Sequence, residues 1–375
     1  MRVVIITNNY NPHVSELSPA FIKAGCETTF IETAPLESFR NEVGFAQERP
    51  ADVIQSYRDF SKAKKVVDSA DLILYGNGDK ALVHDALKRG VYFFRWSEHL
   101  DRGESFLALH KLHLHFTERY FSQKGYLLCN SSHSEHDFTS AGLYRGKCLY
   151  WGYYPKGNKE VDVAKKNIDT SNPIRLLWGG RMLPLKHVEK CLEAADLLFE
   201  QSIPFFFEIV GDGECYATLA SHLATKPYHD HVILSRSKPQ SYLLARMIES
   251  DIYLFTSDKG EGWGAVVNEA LSSQCAVLSC RAAGATDFLI QDGVNGLSYA
   301  SDEEFKAKLL RLVKDRAYAQ KLAVEGRRFI CEDWTADQAV SHLLQVVDHL
   351  QSHTPIPEFL IGHGAGTFIR NQWYK

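Results

Sequence analysis

The sequence predicts an α/β protein of two domains of similar size, each a parallel sheet with helices on both faces. Three observations carry that prediction. The chain is 375 residues long, more than a single hydrophobic core usually serves. Short apolar runs alternate with helical patterns along most of it. Between residues 155 and 173 lies "PKGNKEVDVAKKNIDTSNP", polar, without aromatic residues and with proline at both ends, after which the alternation restarts as it would beyond an interdomain linker.

Taken in order, "RVVIIT", "ETTFIET", "DLILYG", "VYFFRW", "YLLCNS" and "KCLYW" read as buried strands, rich in β-branched and aromatic residues. Helical patterns such as "SPAFIKAG" and "KALVHDALKRG" separate them. These elements make a first domain over residues 1–155, followed by a linker over 156–173. A second domain, 174–350, runs through "IRLLWGG", the helix in "HVEKCLEAADLLFEQ", "FFFEIVG", a helix near Cys215, "HVILS", the helix in "SYLLARMIES", "DIYLFTS" and "AVLSC". From Ser301 to Gln351 the pattern is helical, and the tail over 351–375, ending in "GTFIRNQWYK", is expected to pack back on the first domain.

Composition excludes several classes. The 42 basic and 46 acidic residues are interspersed and leave a formal charge of -4, so no basic tract marks a nucleic-acid partner. Eight cysteines stand singly, with no CxxC pair, which reads as buried reduced thiols. The start, "MRVVIITNNYNP", is a first strand running into a polar turn and not a signal peptide. No run approaches the ~18 apolar residues of a membrane span. A cytoplasmic protein is expected, attached at most to the inner face of a membrane.

The chemistry gathers at "SDKGEGWGAVVNEALSS", a strand end, a loop with Gly260, Gly262 and Gly264, and a helix start. Bare backbone of this kind lets amide groups approach an anion, phosphate above all. Upstream, the strand "IRLLWGG" delivers Gly180, Arg181 and, five residues on, Lys186. A guanidinium and an ammonium beside such a loop would neutralise a diphosphate without a metal, and no Asp-x-Asp pair is present to hold a divalent ion. Glu261 and Glu269 are acceptors suited to vicinal hydroxyl pairs on a ribose or a hexose. Against this, a dehydrogenase is disfavoured, because "NNYNPH" follows the first strand where G-x-G-x-x-G would stand. The histidines of "HKLHLH", His110, His113 and His115, lack a carboxylate to complete a metal set. Their helix, "HKLHLHFTERYFSQKGY", mixes basic and aromatic residues in a way that could touch an anionic membrane, although a solvated face is the simpler reading.

"GGRMLPLKHVEKCLEAADLL", "FEIVGDGE" and "SDKGEGWGAVVNEALSSQCAVLSCRAAGATDFLIQDGVNGLSY" resemble the donor half of the group 1 (family 4) retaining glycosyltransferases of GT-B fold. Glu261 and Glu269 form the E-x7-E signature. The resemblance implies two Rossmann-like domains facing each other across a cleft. It implies that Arg181 and Lys186 grip the donor diphosphate, that the amides of Gly264 and Ala265 cap its distal phosphate, and that Glu269 takes the ribose hydroxyls. Glu261 with the amides of Gly262 and Trp263 would meet the donor sugar, the base would lie near Arg236 and Ser237, and His99 would face the sugar. Where the family has paired glycines after its first strand, this chain has Ser15 and Glu16. Those two residues and Asn9 are expected on the acceptor side.

The implied activity is transfer of a hexose from a nucleotide diphosphate sugar, most readily UDP-linked, to a sugar or lipid-linked hydroxyl in glycan or polysaccharide synthesis. The nucleotide sugar is a co-substrate, and no metal or other cofactor is expected. An epimerase or hydrolase on the same scaffold, and a non-catalytic sugar-nucleotide binding protein, stay open as alternatives.

Overall fold

A computed structural model describes residues 1–36, 50, 52–100, 108–160, 172–362 and 364–369. Most of the expected linker therefore lies outside the described residues, as does the end of the tail. The chain divides into two compact units, one formed by Met1–Pro155 with Asp333–Lys375 and the other by Lys156–Glu332.

The first unit holds a parallel sheet of β1 (Arg2–Thr7), β2 (Glu27–Glu32), β3 (Ile54–Gln55), β4 (Leu72–Tyr75), β5 (Tyr92–Ser97), β6 (Tyr126–Cys129) and β7 (Cys148–Tyr150), in the order β3-β2-β1-β4-β5-β6-β7. Val3 to Ile6 in β1 and all of β4 are buried. That is why these strands read as unbroken apolar runs: a strand covered by helices on both faces has no solvent side on which to alternate. The second unit repeats the plan with β8 (Ile174–Gly179), β9 (Phe205–Val210), β10 (Val232–Ser235), β11 (Ile252–Phe255), β12 (Ala276–Cys280) and β13 (Leu297–Tyr299), ordered β10-β9-β8-β11-β12-β13. In both sheets the order reverses beside the first strand, between β1 and β4 and between β8 and β11. Loops diverge there, leaving a crevice at the carboxyl ends where ligands of such sheets bind.

The sequence patterns did not reveal β3, β13 or the helix Phe60–Ser69. The two strands are too short, at two and three residues, to show a period. The larger difference concerns the domain boundary. Residues 333–350, expected in the second domain, belong to the first unit. The helix Ala336–Gln351 buries Ala339, Val340, Leu343, Val346 and Val347 and packs on the helix Leu17–Lys23. Its start is fixed locally, by Thr335, whose hydroxyl accepts a bond from the Gln338 amide at 3.1 Å. Its apolar stripe demands a partner without specifying which sheet supplies it. Farther on, the Ile369 amide donates to the Cys148 carbonyl at 2.9 Å and the Tyr150 amide to the Thr367 carbonyl at 2.8 Å, so this segment runs along the edge strand β7.

All eight cysteines are free thiols, most of them buried. Among the described residues, no helix is long and apolar enough to cross a membrane.

Candidate active site

In the second unit, the loops after β8 and β11 meet at the switch point. Gly180 follows β8, and its amide donates to the Val210 carbonyl at 3.0 Å. A β-carbon on Gly211, after β9, would lie 1.9 Å from the Gly180 carbonyl oxygen, so the two loops can nest only because that position is bare. The chain then makes a 3-10 turn, Pro184–Lys186, and leaves it through His187 with a left-handed φ of 46°.

Side chains that the sequence reading did not single out stitch the turn to the glycine loop. Thr256, just past β11, receives the Trp178 indole N–H at 2.9 Å and donates its own hydroxyl to the Lys186 carbonyl at 2.5 Å. The Asp258 amide donates to the Leu185 carbonyl at 2.9 Å. The Asp258 carboxylate accepts the Gly260 amide at 2.7 Å, and its other oxygen lies 2.9 Å from His187 Nε2. Only Asp258's place beside the glycines hinted at this. Asp at a turn commonly binds backbone nearby, but a partner 71 residues away in sequence leaves no local pattern.

This frame brings Lys186 to Glu261 across 75 residues of sequence. Lys186 and Glu261 form a half-buried ion pair. Arg181 is exposed, and its guanidinium takes no partner among the described residues. In the glycine loop, Gly264 has φ 94°, and a β-carbon there would stand 2.3 Å from Phe255 Cζ. Glycine is required on both counts. Trp263 turns its side chain into the core, where the indole N–H donates to Asn268 Oδ1 at 2.9 Å and the ring meets Phe288 edge-on at 5.9 Å. The amides of Gly262, Gly264 and Ala265 donate to nothing among the described residues, and grouped free amides of this kind suit an anion.

The helix that follows, Val266–Ser272, is a short one. Glu269 in its first turn is only 5% exposed and accepts the Gln240 side-chain amide at 2.5 Å. Burial pushes its carboxyl from 4.5 up to about 7, while the Gln240 bond pulls the other way. Gln240 is a neighbour with no local sequence signal, since it opens a separate helix, Gln240–Glu249. Arg236 and Ser237 are exposed. The Arg236 guanidinium grips Asp212 with contacts of 2.7 and 2.8 Å, holding that carboxyl below its ordinary range, and stacks over Tyr216 at 4.2 Å. Both residues of this pair stand at strand ends, after β10 and β9.

The remaining candidates belong to the first unit, at the carboxyl ends of its strands. His99, after β5, is buried, with Nδ1 at 3.3 Å from Asp137 Oδ2 and its ring 5.3 Å from that of His133. The same Asp137 oxygen accepts the Leu100 amide at 2.7 Å. Asn9 lies in the turn after β1, with its carbonyl and side-chain oxygens both receiving the Asn11 amide group. Ser15 is buried, its hydroxyl 3.4 Å from the Pro12 carbonyl, and half-buried Glu16 stands at the N-cap position of the helix Leu17–Lys23 without a side-chain capping bond. Glu32, which the sequence showed only as the end of a strand, anchors this turn: fully buried, it accepts the Tyr10 amide at 2.8 Å and the Gln55 side chain at 3.1 Å.

Residues 158–329 match the family model described as glycosyl transferases group 1. An uncharacterized glycosyltransferase of Methanocaldococcus jannaschii is 24% identical over 155 residues, 41% of this chain and 42% of that protein. The amylovoran biosynthesis glycosyltransferase AmsK of Erwinia amylovora is 28% identical over 185 residues, 48% of this chain and 45% of that protein. The chain thus spans less than half the length of the curated relatives it matches. Among solved structures, Anabaena Alr3699/HepE in complex with UDP and glucose aligns over 94% of this chain and all of that one, with a TM-score of 0.63 at 15% identity. The two parallel-sheet units are those of the GT-B glycosyltransferase fold.

Proposed function

We propose that this chain, whose residues 158–329 match the glycosyl transferases group 1 family model, transfers a hexose from a nucleotide diphosphate sugar, UDP-linked, to a sugar or lipid-linked hydroxyl with retention of anomeric configuration. The single observation that carries the proposal is the meeting of Lys186, Glu261 and the free amides of Gly262, Gly264 and Ala265 at one switch point, with Arg181 five residues before Lys186 in the loop after β8. Two cations and a set of amides aimed at one spot stabilise the negative charge that grows on a departing diphosphate, and their placement before the reaction removes the cost of reorganising them. Turnover then needs no metal ion. Glu269 takes the ribose hydroxyl pair, and Arg236 with Ser237 borders the base.

Glu261 stands against Lys186, so the donor meets a preformed ion pair. One side of that pair meets phosphate and the other meets sugar hydroxyls. The departing phosphate takes the acceptor proton on the face it leaves, and His99, Asn9, Ser15 and Glu16 serve the sugar and acceptor side. The UDP and glucose bound in the HepE structure and the amylovoran pathway of AmsK support this choice of donor and product class.

The test is thermal stabilisation by nucleotides. At a concentration of a hundred times Kd, a bound nucleotide adds about 2.7 kcal/mol. UDP or GDP should raise the melting temperature by several degrees, and NAD and ATP by much less. Equal shifts with all four would overturn the nucleotide-sugar reading.

A further inference from the structure

We infer that Gln240 is a positioning residue for the nucleotide, its side-chain amide holding the Glu269 carboxylate in the orientation that receives the ribose hydroxyl pair. The inference rests on the donor reading above and adds to it a residue from a separate helix. Gln240 Nε2 donates to Glu269 Oε1 at 2.5 Å. The second carboxyl oxygen accepts nothing among the described residues. A ribose offers hydroxyl donors, so the partner that suits it is an ionised carboxylate with lone pairs to spare. The Gln240 bond serves both needs. It is the one influence on Glu269 that opposes the effect of burial and favours the charged form. Being neutral, an amide does this without cancelling the charge, as a lysine or arginine in its place would.

The surroundings hold both residues in place before a ligand arrives. The helix Gln240–Glu249 follows β10, so the segment carrying Arg236 and Ser237 runs directly into Gln240. That helix sits on the end of β8, where a β-carbon on Gly179 would stand 2.5 Å from Leu243 Cδ1. Tyr253 of β11 anchors the same glycine, its hydroxyl donating to the Gly179 carbonyl at 2.9 Å and accepting the Gly179 amide at 3.1 Å. Buried Asn158 ties this helix to the one bearing Glu269. Its Nδ2 donates to the Leu244 carbonyl at 2.8 Å and to Ser273 Oγ at 2.7 Å, and its backbone amide donates to Ser272 Oγ at 3.0 Å. The hydroxyls of Ser272 and Ser273 in turn donate to the Glu269 carbonyl at 2.8 and 2.7 Å. Glu269 is therefore gripped through its backbone by the serines and through its carboxyl by Gln240. An acceptor whose orientation is set by such supporting bonds is preorganised for its ligand, and Gln240 links it to the segment proposed to border the base.

The experiment is calorimetric titration of the full chain at neutral pH with UDP and with 2′-deoxy-UDP, which lacks one hydroxyl of the pair. Wild type should bind the deoxy nucleotide roughly tenfold more weakly, the scale of one hydrogen bond to a charged group. Gln240→Met keeps the length of the side chain and removes the donor. It should weaken UDP by roughly tenfold and the deoxy nucleotide much less, so that the preference for UDP falls toward one. In a Glu269→Gln background the same substitution should change that preference little, because the two residues act as one unit. Gln240 is half-buried at the start of its helix, so the unliganded variant should melt within a few degrees of wild type. A preference in Gln240→Met equal to that of wild type would overturn the inference, whether both nucleotides bind as before or both weaken alike. Effects that add independently across the two positions would overturn it too. Wild type that binds neither nucleotide would instead refute the donor reading, and this inference with it.

Discussion

Glu269 offers a quantitative test, because its carboxyl is buried and the cost of ionising it is fixed by its surroundings. Burial carries it from 4.5 to about 7. At about 1.4 kcal/mol for each tenfold change in proton affinity, that difference corresponds to about 3 kcal/mol. The sign follows from linkage: a carboxyl whose proton is held more tightly when folded favours the native state fully below pH 4.5. That contribution is lost as pH rises toward 7, and the whole cost of a buried carboxylate is borne above it. Glu269→Gln keeps the shape and the bond from Gln240 but cannot ionise. Relative to wild type, the variant should therefore gain stability between pH 5 and pH 8, by up to about 3 kcal/mol. Urea unfolding of both proteins at the two pH values measures the gain, with hydrogen exchange in β8 and β11 assigning the transition to the second unit. A difference between variant and wild type that is flat with pH, or that grows toward acid, would refute the reasoning. A ribose hydroxyl donates to the ionised carboxylate, so wild-type affinity for UDP should fall as pH drops through about 7, whereas that of Glu269→Gln should not.

Gly264→Ala forces a β-carbon to within 2.3 Å of Phe255 Cζ at φ 94°. It should cost roughly 2–4 kcal/mol in urea unfolding and abolish stabilisation by UDP, and a neutral change would show that the loop has room to move. Arg181→Ala and Lys186→Ala should each lower kcat by roughly 10²-fold in a transferase assay, the scale of losing one preorganised donor to a growing oxyanion. Arg181→Ala should leave the melting temperature unchanged, because that side chain is exposed. Turnover should survive EDTA, and a double variant with normal kcat, or activity restored only by magnesium or manganese, would remove the two cations from their role.

Much of the site was legible because its signals are local. The glycines of the loop are dictated by backbone geometry that neighbouring residues reveal, a strand before and a helix after. Lys186 could be placed near the glycine loop because strand ends in parallel sheets share one edge. The neighbours that fix these groups were not legible. Gln240 on Glu269, Asp258 on His187 and Glu32 on the Tyr10 amide are single hydrogen bonds across 29, 71 and 22 residues of sequence. One polar side chain at the end of a strand or helix looks the same in sequence whether it meets solvent or a buried partner.

By itself the sequence determined the class of the protein: two α/β units, their parallel strands, the glycine loop and the types of charge around it. Each follows from periodicity or from backbone freedom, which are properties of a few consecutive residues. Tertiary structure alone decided that the helix Ala336–Gln351 joins the first unit, that Lys186 pairs with Glu261, and that Glu269 is buried deeply enough to hold its proton to about pH 7. It also left Leu109, Leu112 and Phe116 facing outward. These outcomes depend on which surfaces meet. An apolar stripe or a carboxylate carries its need for a partner in its own chemistry, but the partner is supplied by residues far along the chain, and only the packed fold brings them within reach.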